Sequence, residues 1–127
     1  VAMEETWAAE WLALHLLAFI GTPPPSVFIL AVGLITTVLT LVISNVGAAV
    51  LLVPLVVDVS AHIGVEPRLA ALVVGLAASN SFMLPTHQVN ALYMGPGGYS
   101  SRDFIKAGAP LTVIFLLVLT AVIRFFY

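Results

Sequence analysis

Residues 26–43 read SVFILAVGLITTVLTLVI and contain no charged side chain. In water, a run of this composition fits either a buried strand or a buried helix. In lipid, an open strand would leave its backbone hydrogen-bonding groups unpaired, whereas a helix pairs them internally. The run therefore predicts a helix at membrane depth.

Charge is as sparse in most of the remaining chain. Of the 127 residues, 61% are hydrophobic and 8% are charged, against roughly 25% charged in soluble domains. No Asp, Glu, Lys or Arg occurs between Glu10 and Asp58, from Leu69 to Ser101, or from Ala107 to Ile123. Because a spanning helix needs about 20 mostly apolar residues, these stretches predict a multi-pass protein of the cell membrane, in contact with the lipid bilayer.

The same composition argues against several other classes of protein. A net charge of -2 without a basic cluster disfavours a nucleic-acid partner. Cysteine is absent, so the chain has neither disulfides nor thiolate metal ligands. No nucleophile–base pair and no metal-binding triad can be assembled from the sequence, and we expect no enzymatic activity.

Helix breakers and polar residues divide the chain into four predicted segments. Trp7 and Trp11 lie four residues apart beside acidic residues, as in a helix at a membrane interface, and the prolines at 23–25 end that helix. In order, we expect an amphipathic interfacial helix over 1–22, a hairpin over 26–66 with its tip at Ser44-Asn45, a broken helix over 67–95, and a last span over 103–127.

Polar residues interrupt the apolar pattern at Ser44-Asn45-Val46-Gly47 and at residues 85–90, PTHQVN. Interrupted apolar segments are the best sequence indication of a transporter binding site. A broken helix offers free N–H groups and a positive dipole end to an anion, and its unwound carbonyls can replace the water around a sodium ion. Residues 44–47 also fit an interhelical turn, and residues 85–90 a surface loop, so the pattern alone leaves both interpretations open.

Other polar residues fit structural roles better. Asp58 lies about 20 Å along a helix from Asn45, which favours an interfacial position over a proton relay. Residues 79–81, Ser-Asn-Ser, are typical of helix–helix hydrogen bonding. His87 lacks a second ligand at a spacing that a metal site needs.

Several motifs occur together at fixed distances: Ser44-Asn45 after a long apolar run, Phe82-Met83-Leu84-Pro85, Gly95-Pro96-Gly97-Gly98-Tyr99, and Arg102-Asp103-Phe104. In this combination, nearly the whole chain resembles the carboxyl-terminal inverted repeat of the divalent-anion:sodium symporter family, whose members move sulfate or dicarboxylates with sodium. The resemblance implies an all-α integral membrane fold. It comprises a re-entrant helical hairpin, a broken transmembrane helix and a terminal transmembrane helix, which form one inverted repeat of an ion-transporter-type fold.

The resemblance also implies two sets of site residues. Substrate would contact Ser44, Asn45, Val46, His87 and Gln88. Sodium, which is transported and is not a prosthetic group, would be held by Thr40, the Ile43 carbonyl, Asn45 and Thr86.

The chain departs from the family pattern in two places. Val46 stands where the family usually has Thr, and this removes a hydroxyl that would reach the anion. Residues 85–90 replace the usual Ala-Thr-Pro-Pro-Asn loop. The loop at residues 95–99 is more similar to that of the sulfate-type branch.

The resemblance implies secondary active transport, in which sodium influx drives the uptake of sulfate or a dicarboxylate. Because the family's site lies between two inverted repeats, we expect the amino-terminal repeat of the same carrier as a partner, and a homodimer in the full-length form. Two alternatives stay open. One is a non-transporting membrane assembly or sensor module, and the other is a proton-coupled arsenite or citrate carrier with Asp58 as a candidate relay.

Overall fold

The structure, a computed structural model, describes residues 21, 23–85 and 88–126. Within these ranges the chain forms five helices and no strand: α1 (Pro25–Val42), α2 (Asn45–Ile63), α3 (Pro67–Ala77), α4 (Gln88–Met94) and α5 (Ser101–Phe126). The interfacial helix predicted over 1–22, with Trp7 and Trp11, lies outside the described residues apart from Gly21.

Helices α1 and α2 form a hairpin joined by Ile43 and Ser44. Pro25 is the first residue of α1, where a missing N–H costs nothing and the fixed φ suits a helix. Helix α1 ends because Ile43 adopts an extended backbone, with φ -114° and ψ 169°. Ser44 then caps α2, since its Oγ accepts the Gly47 N–H at 3.0 Å, the preferred role of serine at this position. The chain therefore reverses direction within two residues.

The opposite end of the hairpin also has a sequence-encoded stop. Helix α2 ends at Ile63 and is capped by Gly64, whose φ of 75° is left-handed, a conformation that glycine adopts without a steric penalty. Two residues later, Pro67 opens α3. Helices α2 and α3 pack side by side through this short turn.

Helix α3 stops at Ala77 and the next helix begins at Gln88. We call the described non-helical residues between them, 78–85, the break. The sequence pattern places the interruption at residues 85–90, and this boundary is wrong, because the interruption begins seven residues earlier, at Ala78, and Gln88 to Asn90 are helical. Short polar side chains at 79–81 favour bonds that compete with a helix, and their effect outweighs the apolar run that continues to Leu84.

Helix α5 begins with a cap in which Asp103 is the acceptor. The backbone N–H of Ser100 and its hydroxyl both donate to Asp103 Oδ2, at 2.8 and 2.7 Å, and the first of these bonds is one half of a capping box. The helix then runs for 26 residues, about 39 Å, which exceeds the hydrocarbon thickness of a bilayer.

Helix α1 is the centre of the packing, because it contacts α2, α3 and α5. At Gly33 these helices approach closely: a β-carbon there would lie 3.0 Å from Leu116 Cδ2 of α5 and 3.9 Å from Val73 Cγ1 of α3. The buried apolar core draws on all four long helices, with Phe28, Ile29, Val32, Leu52, Val56, Val59, Ala70, Val73, Val74, Ala77, Leu119 and Ile123.

Among the described residues, three helices are long and apolar enough to cross a membrane: α1, α2 and α5, with mean hydropathies of 2.3, 2.1 and 2.3. Their outward faces carry large apolar side chains such as Leu34, Val50 and Leu117. Such a surface is more apolar than a soluble protein tolerates, but it suits contact with lipid. The backbone groups are paired within the helices, as a bilayer requires. The predicted all-α integral membrane fold is confirmed.

Candidate functional site

The hairpin tip brings together four of the residues predicted to bind ligands. Thr40 is 5% exposed on the last turns of α1, and its hydroxyl donates to the Thr37 carbonyl at 2.8 Å. Because its proton is used within the helix, the lone pairs of that oxygen remain available to a cation. Ile43 ends α1 and Ser44 caps α2, while Asn45 is the first residue of α2, with its Oδ1 shielded from solvent.

The tip also joins two helix ends of opposite polarity. The carboxyl end of α1 and the amino end of α2 are two residues apart, with no basic residue in the last turn of α1 and no acidic residue in the first turn of α2. A helix carries partial negative charge at its carboxyl end and partial positive charge at its amino end. A cation beside Ile43 and an anion beside Ser44 would therefore each meet a favourable field.

Of the other residues predicted to bind substrate or sodium, the structure describes two. Val46 is the second residue of α2 and is 73% exposed, so the described part of the chain leaves it uncovered. Gln88 is the first residue of α4. Thr86 and His87 lie outside the described residues.

The break is tied to the helices on both sides by Asn80, which is fully buried. Its Nδ2 donates to Thr37 Oγ1 of α1 at 3.1 Å, and its Oδ1 accepts from Thr112 Oγ1 of α5 at 3.3 Å. For Asn80, the prediction of a helix–helix hydrogen-bond partner at residues 79–81 is confirmed. The bonds fix the start of the non-helical segment against α1, seven residues before the hairpin tip.

A second amide holds the break from the other side. Asn90 of α4 donates through Nδ2 to the carbonyls of Ser81 and Leu84, at 2.9 and 3.0 Å. Unwound carbonyls at membrane depth need such donors, because lipid supplies none. The sequence pattern included Asn90 in the interruption at residues 85–90, as part of a candidate binding site or a surface loop, and assigned it no hydrogen bonds of its own.

Gly108 of α5 lets the break approach that helix. A β-carbon at Gly108 would overlap the Phe82 carbonyl and would lie 2.8 Å from Met83 Cα. Both neighbours are backbone, so no rotamer change would relieve the overlap. The sequence pattern assigned no role to Gly108, although a glycine within a long apolar helix commonly marks a place where another backbone segment packs closely.

A cleft of about 360 Å³ lies on the far side of the break, between α4 and α5. Aromatic side chains dominate its wall, and Asp103 lies on its rim. A carboxylate there opposes a negatively charged ligand, so the hairpin tip is the better candidate for an anion.

Asp58 lies near the other end of the molecule. It is half-buried on α2, five residues before the helix ends, and about 20 Å along the axis from Asn45. The turn beyond it contains Glu66 and leads to Arg68, so this end faces a polar environment. Its position fits the predicted interfacial residue.

The protein is a multi-pass helical membrane protein with the architecture of a transporter. Three features define this class: apolar helices that suit a bilayer, a tight hairpin, and an interrupted helix held by neutral amides. A family model described as citrate transporter matches residues 1–127. The chain belongs to this family of membrane transporters.

The relatives agree with that assignment. The chain is 38% identical over 127 residues to an uncharacterized transporter of Synechocystis, covering 99% of this chain and 21% of that protein. It is 32% identical over 118 residues to solute carrier family 13 member 2 of Mus musculus, covering 92% and 20%. It is 27% identical over 124 residues to the sodium-dependent dicarboxylate transporter SdcS of Staphylococcus saprophyticus, covering 97% and 24%.

These relatives confirm the resemblance to the divalent-anion:sodium symporter family. They are transporters and not enzymes, as predicted, and the protein is a multi-pass protein of the cell membrane. The chain spans about a fifth of the length of the curated relatives it matches.

Proposed function

We propose that this chain is the carboxyl-terminal inverted repeat of a longer carrier that couples sodium influx to the uptake of a small divalent anion, sulfate or a dicarboxylate. The observation that carries the proposal is the hairpin tip. There, a buried threonine hydroxyl, a helix carboxyl end and the amino end of the next helix meet within six residues, Thr40 to Asn45.

In this proposal sodium binds on the α1 side of the tip. Its ligands are Thr40 Oγ1, the Ile43 carbonyl, Asn45 Oδ1 and a group from Thr86 across the break. Oxygen atoms, including hydroxyl, backbone carbonyl and amide oxygens, are the ligands that hard cations prefer. The negative end of the α1 dipole adds to the attraction.

The anion binds on the α2 side. Its ligands are Ser44, Asn45 and Val46 at the start of α2, together with His87 and Gln88 from beyond the break. No Lys or Arg occurs between residues 11 and 57 or between 69 and 101, so the helix end and the bound sodium supply the positive charge. Anion binding therefore requires sodium to be bound first. The other half of the substrate site comes from the amino-terminal repeat, and the complete carrier is a homodimer.

Uptake into proteoliposomes tests the proposal. The carrier containing this chain is reconstituted and supplied with radiolabelled sulfate, succinate or citrate, in sodium or in choline buffer. We expect uptake of one of these anions in sodium only. Asn45→Ala should abolish it, while Val50→Ala, an exposed position just over one turn further along α2, should leave it unchanged. Wild-type rates from Asn45→Ala would refute the site.

A regulatory role is the second candidate. The chain is 34% identical over 123 residues to a Chlamydomonas reinhardtii protein named "Putative sulfur deprivation response regulator". A sensor of this kind would bind the anion in the presence of sodium without moving it. Sodium-dependent binding of sulfate in detergent, combined with no uptake into proteoliposomes, would identify the sensor. Full uptake in choline would instead indicate the proton-coupled type of carrier, and Asp58→Asn would then be the variant to measure.

A further inference from the structure

Asn80 connects three elements that must be arranged together. It belongs to the break, its amide nitrogen bonds to Thr37 of α1, and its amide oxygen bonds to Thr112 of α5. All three side chains are at most 5% exposed. A buried hydrogen bond between neutral groups holds its geometry because the surrounding medium offers no competing partners.

The bonds continue from Asn80 to the hairpin tip. Thr37 accepts from Asn80 at its hydroxyl oxygen, and the Thr37 carbonyl accepts from the Thr40 hydroxyl at 2.8 Å. Asn80 is therefore two hydrogen bonds away from Thr40 Oγ1, the first sodium ligand of the proposed function. A displacement of Thr37 would move both the Thr40 hydroxyl and the last turn of α1.

We infer that Asn80 is a positioning residue for the sodium site, and this inference rests on the proposed function. Sodium takes ligands from the hairpin tip on one side and from beyond the break on the other. The affinity of the site for sodium therefore depends on how far apart the hairpin tip and the break lie before the ion binds. Asn80 sets that spacing by bonding the start of the break to α1 near Thr40.

Replacing Asn80 with leucine removes both bonds and leaves the fold supported. The Thr37 hydroxyl already donates to the Gly33 carbonyl at 2.8 Å. The Thr112 hydroxyl can turn to the carbonyl four residues before it, as Thr120 does with Leu116 at 2.8 Å. No buried donor is left without an acceptor, so the substitution avoids the main cost of deleting a buried polar group.

The test measures sodium activation of uptake by the full carrier in proteoliposomes. For Asn80→Leu we expect the sodium concentration at half-maximal uptake to rise about fivefold, the factor that corresponds to the net contribution of one buried hydrogen bond. The maximal rate and the anion KM at saturating sodium should stay within twofold of wild type. Ser79→Ala, at the exposed neighbouring position, should behave as wild type.

Two further variants keep the inference falsifiable. If Asn80→Leu does not fold, Thr112→Val removes the longer bond alone and should raise the half-maximal sodium concentration about twofold. An unchanged sodium dependence in the folded variant, or a lower maximal rate with no change in sodium dependence, would overturn the positioning role. If Asn45→Ala keeps wild-type uptake, the proposed function itself fails, whatever Asn80→Leu does.

Discussion

The contact between Gly108 and the break predicts a large effect from the smallest possible side chain. In Gly108→Ala the new β-carbon would lie 2.6 Å from the carbonyl carbon of Phe82 and 2.8 Å from Met83 Cα. Ordinary van der Waals contact begins at 3.4 Å, and the Phe82 carbonyl oxygen is closer still, so α5 and the break must separate by at least about 0.8 Å, as the backbone on neither side can rotate away.

That separation has a second consequence, one helical turn along α5. Thr112 bonds to Asn80 at 3.3 Å, and a shift of this size would carry the two atoms beyond hydrogen-bonding distance. Overpacking costs about 1–3 kcal/mol, and the lost hydrogen bond costs about 1 kcal/mol. We therefore expect Gly108→Ala to lower the free energy of unfolding by about 2–4 kcal/mol.

Thermal unfolding of the purified carrier in detergent measures this effect, with an expected fall in Tm on the order of 5 °C. Gly75→Ala is the matched control. Gly75 is also a glycine within a helix, but a β-carbon there meets nothing within 4 Å, so alanine should be neutral or stabilise the helix by up to about 1 kcal/mol. Equal melting temperatures for Gly108→Ala and Gly75→Ala would refute the close contact.

Two other substitutions test the break and the tip. Asn90→Ala removes both donors to the break carbonyls and should cost about 2 kcal/mol; amide hydrogen exchange at residues 81–90 should accelerate, while Leu92→Ala, at an exposed position of the same helix, should leave it unchanged. Val46→Thr restores a hydroxyl at an exposed, nearly isosteric position and should lower the anion KM about fivefold without changing Tm. A KM equal to that of wild type would show that Val46 does not face the anion.

Helix ends in this protein were predictable wherever a residue with special backbone chemistry marks them. Pro25, Ser44, Gly64 and Pro67 each start or stop a helix through a local effect: a fixed φ, a capping hydroxyl or a left-handed conformation. Local effects are readable from sequence because the residue and the structure it causes are neighbours.

The end of α3 could not be predicted in the same way. Ala77 precedes a small polar triplet with no proline or glycine, and triplets of this kind also occur inside membrane helices. The end is determined by Asn80, whose partners Thr37 and Thr112 are 43 and 32 residues away. The close contact at Gly108 could not be predicted either, because it is made with the backbone of Phe82, whose position no sequence pattern reveals.

The candidate site also has one part that local sequence predicts and one part that depends on distant residues. Thr40, Ile43, Ser44 and Asn45 are close in sequence, and a single turn is enough to bring them together. The opposite side is held by Asn80, predicted as a hydrogen-bonding residue but without its partners, and by Asn90, whose role became apparent only from its tertiary hydrogen bonds.

Among the described residues, neutral amides occur at the hairpin tip, in the break and just after it, and the bilayer explains why. Unwound backbone within a membrane needs donors and acceptors, but a fixed charge at that depth is costly. An asparagine supplies both a donor and an acceptor with no charge, as Asn80 does between α1 and α5 and as Asn90 does for two carbonyls. Under the proposed function, the use of neutral side chains in place of charged ones has a consequence for transport. A site held by neutral groups has little attraction for a divalent anion until a cation arrives, so the absence of charge that suits the bilayer also makes anion binding depend on sodium.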